Sequence, residues 1–130
     1  MKNFLVCFTA TFMFFSCSKK TEYTFVVKNN TNYTLNSVSI DWCNGDNTIS
    51  ILPNSTSNTL ILTYNVKPLN FFASGSLCVT VSEYSNQSST QSNNIGIAIE
   101  RTTLSKKNTN TIEISENTQS TSNPFLIELK

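Results

Sequence analysis

The side chains best suited to bond-making chemistry are scarce in this chain. Histidine is absent, so no imidazole can serve as a general base near neutral pH. The only Ser-x-x-Lys spacing, Ser16 to Lys19, falls where an apolar amino-terminal stretch ends, an unsuitable setting for an activated hydroxyl. Glu83, Glu100, Glu113, Glu116 and Glu128 could furnish the carboxylate pair of a glycosidase, but most sit at the outward parity of alternating runs and no motif gathers them. They read as solubilising groups on strand faces. Zinc has neither histidine nor a free cysteine cluster to hold it. The expectation is a protein that is not an enzyme and needs no cofactor or metal.

Candidate binding residues fall in two places. "DWCNGD", 41 to 46, sets Asp41 and Asp46 either side of Asn44-Gly45. Calcium takes about six to eight oxygens from a spaced loop, and the EF-hand pattern is absent, so a solvated hairpin is the simpler reading. Trp42 could be a platform for a sugar ring, with Asp41 and Asn44 bonding its hydroxyls, but its parity with Val38 and Ile40 favours a core tryptophan. The second place is "YSNQSSTQSNN", 84 to 94, which together with "SENTQSTSN", 115 to 123, lacks any alternation. Both read as solvated hairpin connections or, alternatively, as binding loops, with Tyr84, Asn86 and Gln87 heading the first.

The amino terminus reads as a targeting segment. Lys2 gives a short positive region, and Phe4 to Phe15 form an uncharged apolar stretch. A bilayer-spanning helix needs about 20 apolar residues, so an export signal is expected and not a membrane span. Cys7 lies in mid-stretch behind Phe4, Leu5 and Val6, whereas Cys17 follows Phe14, Phe15 and Ser16 at the polar end and alone has a small residue before it. "FFSC" resembles the lipobox of bacterial lipoproteins, over residues 1 to about 20. The family usually has leucine where this chain has Phe14. The resemblance implies that Cys17 carries the lipid, palmitate among its acyl chains, and that signal peptidase II cuts before it. It implies residues 1–16 as signal peptide, and Ser18, in place of a retaining aspartate, implies the outer membrane of a Gram-negative cell. At about 0.8 kcal/mol per buried CH₂, several acyl chains make such attachment effectively permanent.

With Cys7 removed and Cys17 acylated, Cys43 and Cys78 remain. An even residual pair in an exported chain is expected to form a disulfide. Trp42, Leu77 and Val79 belong to the inward sets of their strands, so both cysteines share the opposite parity and the bridge is expected off the main core, between neighbouring strands or at a strand end.

The elements that position these residues are strands. Alternation with a period of two runs through Tyr23, Phe25 and Val27, then Val38, Ile40 and Trp42, then Ile49 and Ile51, then Leu60, Leu62 and Tyr64. It resumes at Leu77, Val79 and Val81, at Ile95, Ile97 and Ile99, at Ile112 and Ile114, and at Phe125, Ile127 and Leu129. Turn chemistry separates the runs: "NNTN" at 29 to 32, Asn44-Gly45, "LPNS" at 52 to 55 and "VKPL" at 66 to 69. About eight short strands at such spacing predict an all-β fold, an antiparallel β-sandwich over residues 23–130, with a closed barrel as the alternative. The immunoglobulin signature is missing, because Trp42 directly precedes the first cysteine and Ser76 stands two before Cys78, where those domains have tyrosine. Residues 17–22 are left as a tether of roughly 20 Å.

Charge narrows the partners. Lys and Arg total 9 against 8 Asp and Glu, and loss of Lys2 brings the mature chain to balance. The pairs Lys19-Lys20 and Lys106-Lys107 are isolated, so neither nucleic acid nor an anionic lipid surface is an expected partner. Together these features predict a small lipid-anchored binding or accessory module for a glycan, a peptide or an envelope protein. Its alternatives are a structural subunit of an envelope complex joined by edge-strand pairing, and an inhibitor or immunity protein.

Overall fold

The computed structural model describes residues 19–43, 47–66, 75–120 and 122–130. Nine strands follow one another: β1 (Lys19–Asn30), β2 (Thr34–Asp41), β3 (Thr48–Ile51), β4 (Ser55–Thr56), β5 (Leu60–Val66), β6 (Ser76–Ser85), β7 (Thr90–Glu100), β8 (Asn110–Glu116) and β9 (Phe125–Leu129). The single helical element among the described residues is a 3₁₀ turn, Arg101–Thr103. In the first sheet β1 lies between β8 and the β4 and β5 strands, and β9 pairs with β8; the second sheet runs β3-β2-β6-β7. The two sheets stay separate, which sets aside the closed barrel.

Alternation decides which side chains meet between the sheets. Phe25, Val27, Ile112, Ile114, Phe125 and Ile127 come from one, and Leu35, Val38, Ile40, Leu77, Val79, Val81, Ile95 and Ile99 from the other, all buried. Their neighbours at the other parity are mostly polar and face out, as a half-buried strand requires. At about 25 cal/mol per Å² of apolar surface, this interior supplies the main stabilising term.

Four features differ from the sequence-based expectation. β1 starts at Lys19, ahead of Tyr23, because Lys19, Lys20, Thr21 and Glu22 pair with Val66, Asn65, Tyr64 and Thr63. Ladder bonds come from the backbone and need no apolar side chain, so most of the expected 17–22 tether is strand. β4, a two-residue strand paired with Lys28 and Asn29, emerges from the stretch read as a turn and its edge. The pairing of β1 with β8 is parallel, from Phe25 opposite Asn110 to Asn30 opposite Ser115, in an otherwise antiparallel fold. Finally, β6 and β7 run on through much of 84 to 94, so that only residues 86–89 connect them.

That last difference comes from bulges. The β6–β7 register shifts between Val81 and Glu83, so Val81 faces Ile95 but Glu83 faces Ser92. In that ladder the extra residue lies on β7; against β2, where Val38 faces Val81 and Ser37 faces Glu83, it lies on β6, reverses parity there and brings Tyr84 to the core side with Leu77, Val79 and Val81. A matching irregularity in β2 brings in Leu35 alongside Val38. Beyond the bulge, Gly96 lets β7 lie against β6, since a Cβ there would stand 2.7 Å from Thr80 Oγ1 and 2.8 Å from the Val79 carbonyl oxygen.

Polar groups fix the ends. Asn29 is fully buried and closes the β1–β2 connection: its Nδ2 donates to the carbonyls of Tyr33 (2.8 Å), Leu52 (2.9 Å) and Ile51 (3.3 Å), while its Oδ1 accepts from Thr31 N (3.0 Å) and Thr31 Oγ1 (2.7 Å). Asn110 does similar work before β8. Its Nδ2 donates to the Thr24 and Ser105 carbonyls and its Oδ1 accepts from Ser105 N.

Candidate functional site

Each sheet leaves two edges, and they are not equivalent. β9 carries Glu128 and is followed by Lys130, an ion pair of 2.6 Å that holds the Lys130 ammonium above its ordinary range, first through the hydrogen bond and then through the Glu128 charge. β7 ends in Glu100 and is bulged. Such charges and bulges discourage pairing with another chain. β3, "TISI", and β5, "LILTYNV", carry no charge at all. These two edges belong to different sheets and face one another across a cleft of about 230 Å³ lined by Asn47, Thr48, Ile49, Leu60, Ile61 and Leu62.

The seam is apolar where it is open. Ile61 is 64% exposed, Ile49 and Leu60 are half-buried, and Leu52, directly after β3, is 66% exposed. Among the described residues β3 pairs only with β2, and β5 only with β1, so the outward N–H and C=O groups of both have no strand partner. Side chains in the cleft can hold an apolar residue. The flanking backbones can bond a strand laid alongside.

The end of the sandwich where β2 finishes has a different character. A disulfide joins Cys43, just past β2, to Cys78 in β6, with a Cα–Cα distance of 4.9 Å. Asp41 is the ladder partner of Cys78, so the bridge lies at the strand end and off the core, as the parity argument requires. On the inward side, Trp42 packs edge-on against Tyr23 (centroids 5.3 Å apart) and against Tyr64 (5.0 Å). The Arg101 guanidinium lies over the Tyr64 ring, its Cζ 4.6 Å from the centroid. Gly75 lets that ring approach the backbone ahead of β6, because a Cβ at 75 would collide with it.

The residues singled out in the sequence scatter. Asp41 is 7% exposed and not solvated; Ser39 Oγ donates to its Oδ2 at 2.9 Å, while Oδ1 has no partner. Trp42 is half-buried at the edge of the core. Tyr84 is drawn into the core, its ring against Tyr33 and Phe125 and its hydroxyl donating to Gln91 Oε1 at 2.7 Å, so it offers no free binding face. Asn86 shapes the turn, its Oδ1 accepting from Ser88 N and Ser89 N, and Gln87 is exposed beside it. Asn44, Asp46 and Cys17 lie outside the described residues.

No family model, curated protein or solved structure matches the chain. The site must be argued from its own geometry. Sequence reasoning missed the seam because it depends on which strands end at an edge, a property of strand order that periodicity does not carry. One signal was present: β3 and β5 are the adjoining strand runs with neither charge nor proline within them.

Proposed function

We propose that this protein is a lipid-anchored binding module of the Gram-negative outer membrane that takes up an extended polypeptide segment of an envelope partner along the β3–β5 seam. The observation that carries the reading is the pair of uncharged, unpaired strand edges facing each other across an apolar cleft. A guest strand would add ladder bonds to one edge and place alternate side chains beside Ile49, Leu60 and Ile61. The polar connections favour an inhibitor's contacts less. Residues 86–89 are closed by the Asn86 turn, and in 117–124 Asn117 N donates to the Pro124 carbonyl at 2.8 Å.

The anchor rests on "FFSC" and the choice of Cys17 over Cys7. With β1 starting at Lys19, only Ser18 stands between the proposed lipid attachment and the first strand. The module then works against the bilayer, within reach of partners at the same surface. Metabolic labelling with a fatty acid is expected to mark the wild type and to vanish in Cys17→Ala. Label that persists there but disappears in Cys7→Ala overturns the assignment.

The seam has its own test. A photo-crosslinking residue at position 61, in the intact envelope, is expected to trap one partner, and a synthetic peptide covering the trapped segment should protect the amides of β3 and β5 from hydrogen exchange. Ile61→Lys places a charge on an edge that has none and is expected to weaken that peptide by about tenfold or more, while the folded domain keeps its exchange pattern. Equal trapping from position 92, on β7 at the opposite edge of the sheet from β3, or undiminished peptide binding by Ile61→Lys, removes the seam from the reading.

A further inference from the structure

The fold satisfies its buried polar groups with care, as Asn29, Thr31 and Asn110 show. Among the described residues four buried side-chain atoms lack a hydrogen-bond partner, and one of them belongs to a carboxylate, Asp41 Oδ1. Asp41 is 7% exposed, and Ser39 Oγ donates only to its other oxygen, Oδ2, at 2.9 Å. Natural proteins leave few such atoms, and each calls for a physical reason. The strand register supplies one. Asp41 stands directly across the β2–β6 ladder from Cys78, and directly opposed residues point to one face with Cβ atoms about 4.5–5.5 Å apart. Cys78 carries no hydrogen while it is bonded to Cys43. Reduced, it carries an S–H, a donor beside the acceptor that lacks one.

The other sulfur repeats the arrangement. Cys43 Sγ lies 3.2 Å from the Ser76 carbonyl oxygen, which can accept from a Cys43 thiol in the same way. Two acceptors therefore stand ready for two hydrogens that the bridge has displaced. They are not equivalent, because a carbonyl oxygen only accepts a hydrogen bond, whereas a carboxylate can take the proton away. Access differs in the opposite sense. Cys43 is exposed, past the end of β2 in a left-handed conformation with φ 62°, and Cys78 is half-buried within β6. A reagent from outside reaches Cys43 first, and the thiol that must lose its proton in place is Cys78.

We infer that Cys43 and Cys78 form a thiol–disulfide exchange site for a disulfide-bearing donor that enters at Cys43, with Asp41 as the base that takes the Cys78 proton. The Cys43 thiolate attacks one sulfur of the donor's disulfide, whose S–S bond breaks with the electron pair leaving on the donor's second sulfur. Asp41 Oδ1 accepts the Cys78 proton. The Cys78 thiolate then attacks Cys43 Sγ, the bond between them forms, and the donor's first sulfur departs as a thiolate that collects the proton from Asp41. Two electrons have passed to the donor, now a dithiol, and the carboxylate is left as the structure shows it, with an oxygen that bonds nothing. This site does not rest on the β3–β5 seam; either can fail without the other.

The test uses the full chain with Cys7→Ser and Cys17→Ser, so that Cys43 and Cys78 are its only cysteines. The reduced chain is offered oxidised glutathione, and quenched samples are weighed by mass spectrometry: one glutathione is gained, then lost on closure. Glutathione is expected on Cys43 first, and to stay there in Cys78→Ser. Asp41→Asn keeps the shape and an oxygen for Ser39 but takes no proton. It should gain glutathione at the wild-type rate and close about tenfold or more slowly. Ser39→Ala keeps the carboxylate without its hydrogen bond and should close at close to the wild-type rate, which separates proton transfer from a structural role. In concentrated urea, where the ladder is gone, Asp41→Asn and the wild type should close alike. The inference is overturned by any of five results: glutathione found first on Cys78, wild-type closure in the folded Asp41→Asn variant, a first step slowed as much as the second, a Ser39→Ala variant as slow as Asp41→Asn, or a difference in urea as large as that in the folded chain.

Discussion

Asn29→Ala is expected to lower the stability of the domain by about 3–5 kcal/mol, because a buried donor or acceptor left unpaired costs about 1–3 kcal/mol. The substitution strips partners from the carbonyls of Tyr33, Ile51 and Leu52 and from the N–H and hydroxyl of Thr31, at a point where Asn29 is 0% and Thr31 1% exposed. For a domain of this size each kcal/mol moves the thermal midpoint by roughly 4–8 °C, so the loss is readily measured by chemical or thermal unfolding. Asn29→Leu keeps the volume and restores none of the bonds. It should be about as damaging as alanine, which distinguishes lost hydrogen bonding from lost packing. A loss under about 1 kcal/mol in both variants would mean that the turn 31–33 finds other partners.

The second large effect belongs to the disulfide. Cys43 and Cys78 are 35 residues apart, and in the chain-entropy model closing a loop of that length stabilises by about 4 kcal/mol. Cys43→Ser, or reduction of the wild type, should therefore lower the unfolding free energy by about 3–4 kcal/mol. The bridge clamps the end of β2 beside Trp42, so the emission of that tryptophan should shift to the red as the strand end loosens. Recovery of two alkylated thiols from the unreduced, denatured domain would remove the basis of the prediction. Asn29 and Cys43 secure opposite ends of the sandwich and share no partner, so their effects should add to within about 0.5 kcal/mol.

Much of this architecture is legible in the residues. Tyr23, Phe25 and Val27, or Ile112 and Ile114, alternate without interruption because their strands pair in steady register, and a steady register writes a period of two. The disulfide could be placed off the core from parity alone. Leu35 and Tyr84 were hidden because a bulge inserts a residue and reverses the side-chain sense, so each falls out of step with the run it belongs to. Asn29 was read as turn material, and Asn110 drew no notice. Nothing local tells a solvated asparagine from one that bonds three carbonyls, since that depends on what Ile51, Leu52 or Thr24 brings to it from elsewhere. Arg101 drew no notice for the same reason: its setting is made by the ring of Tyr64, which β5 brings to it from elsewhere.

The parallel pairing of β1 with β8 bears on how the chain reaches its native state. Lys28 meets Glu113 across a separation of 85 residues, and β1 is a central strand of its sheet. High contact order of this kind slows folding, because most of the chain must be ordered before the contact returns any free energy. In a polypeptide that is threaded through a membrane amino end first, β1 would arrive early and then wait, with the edge that β8 pairs left open, until β8 follows. During that interval the only strands able to shelter it are β4 and β5, and they cover just one of its two edges. If the chain is exported as proposed, it would carry an unpaired strand edge for most of that passage, which would make it a natural client for a holding chaperone on the far side of the membrane.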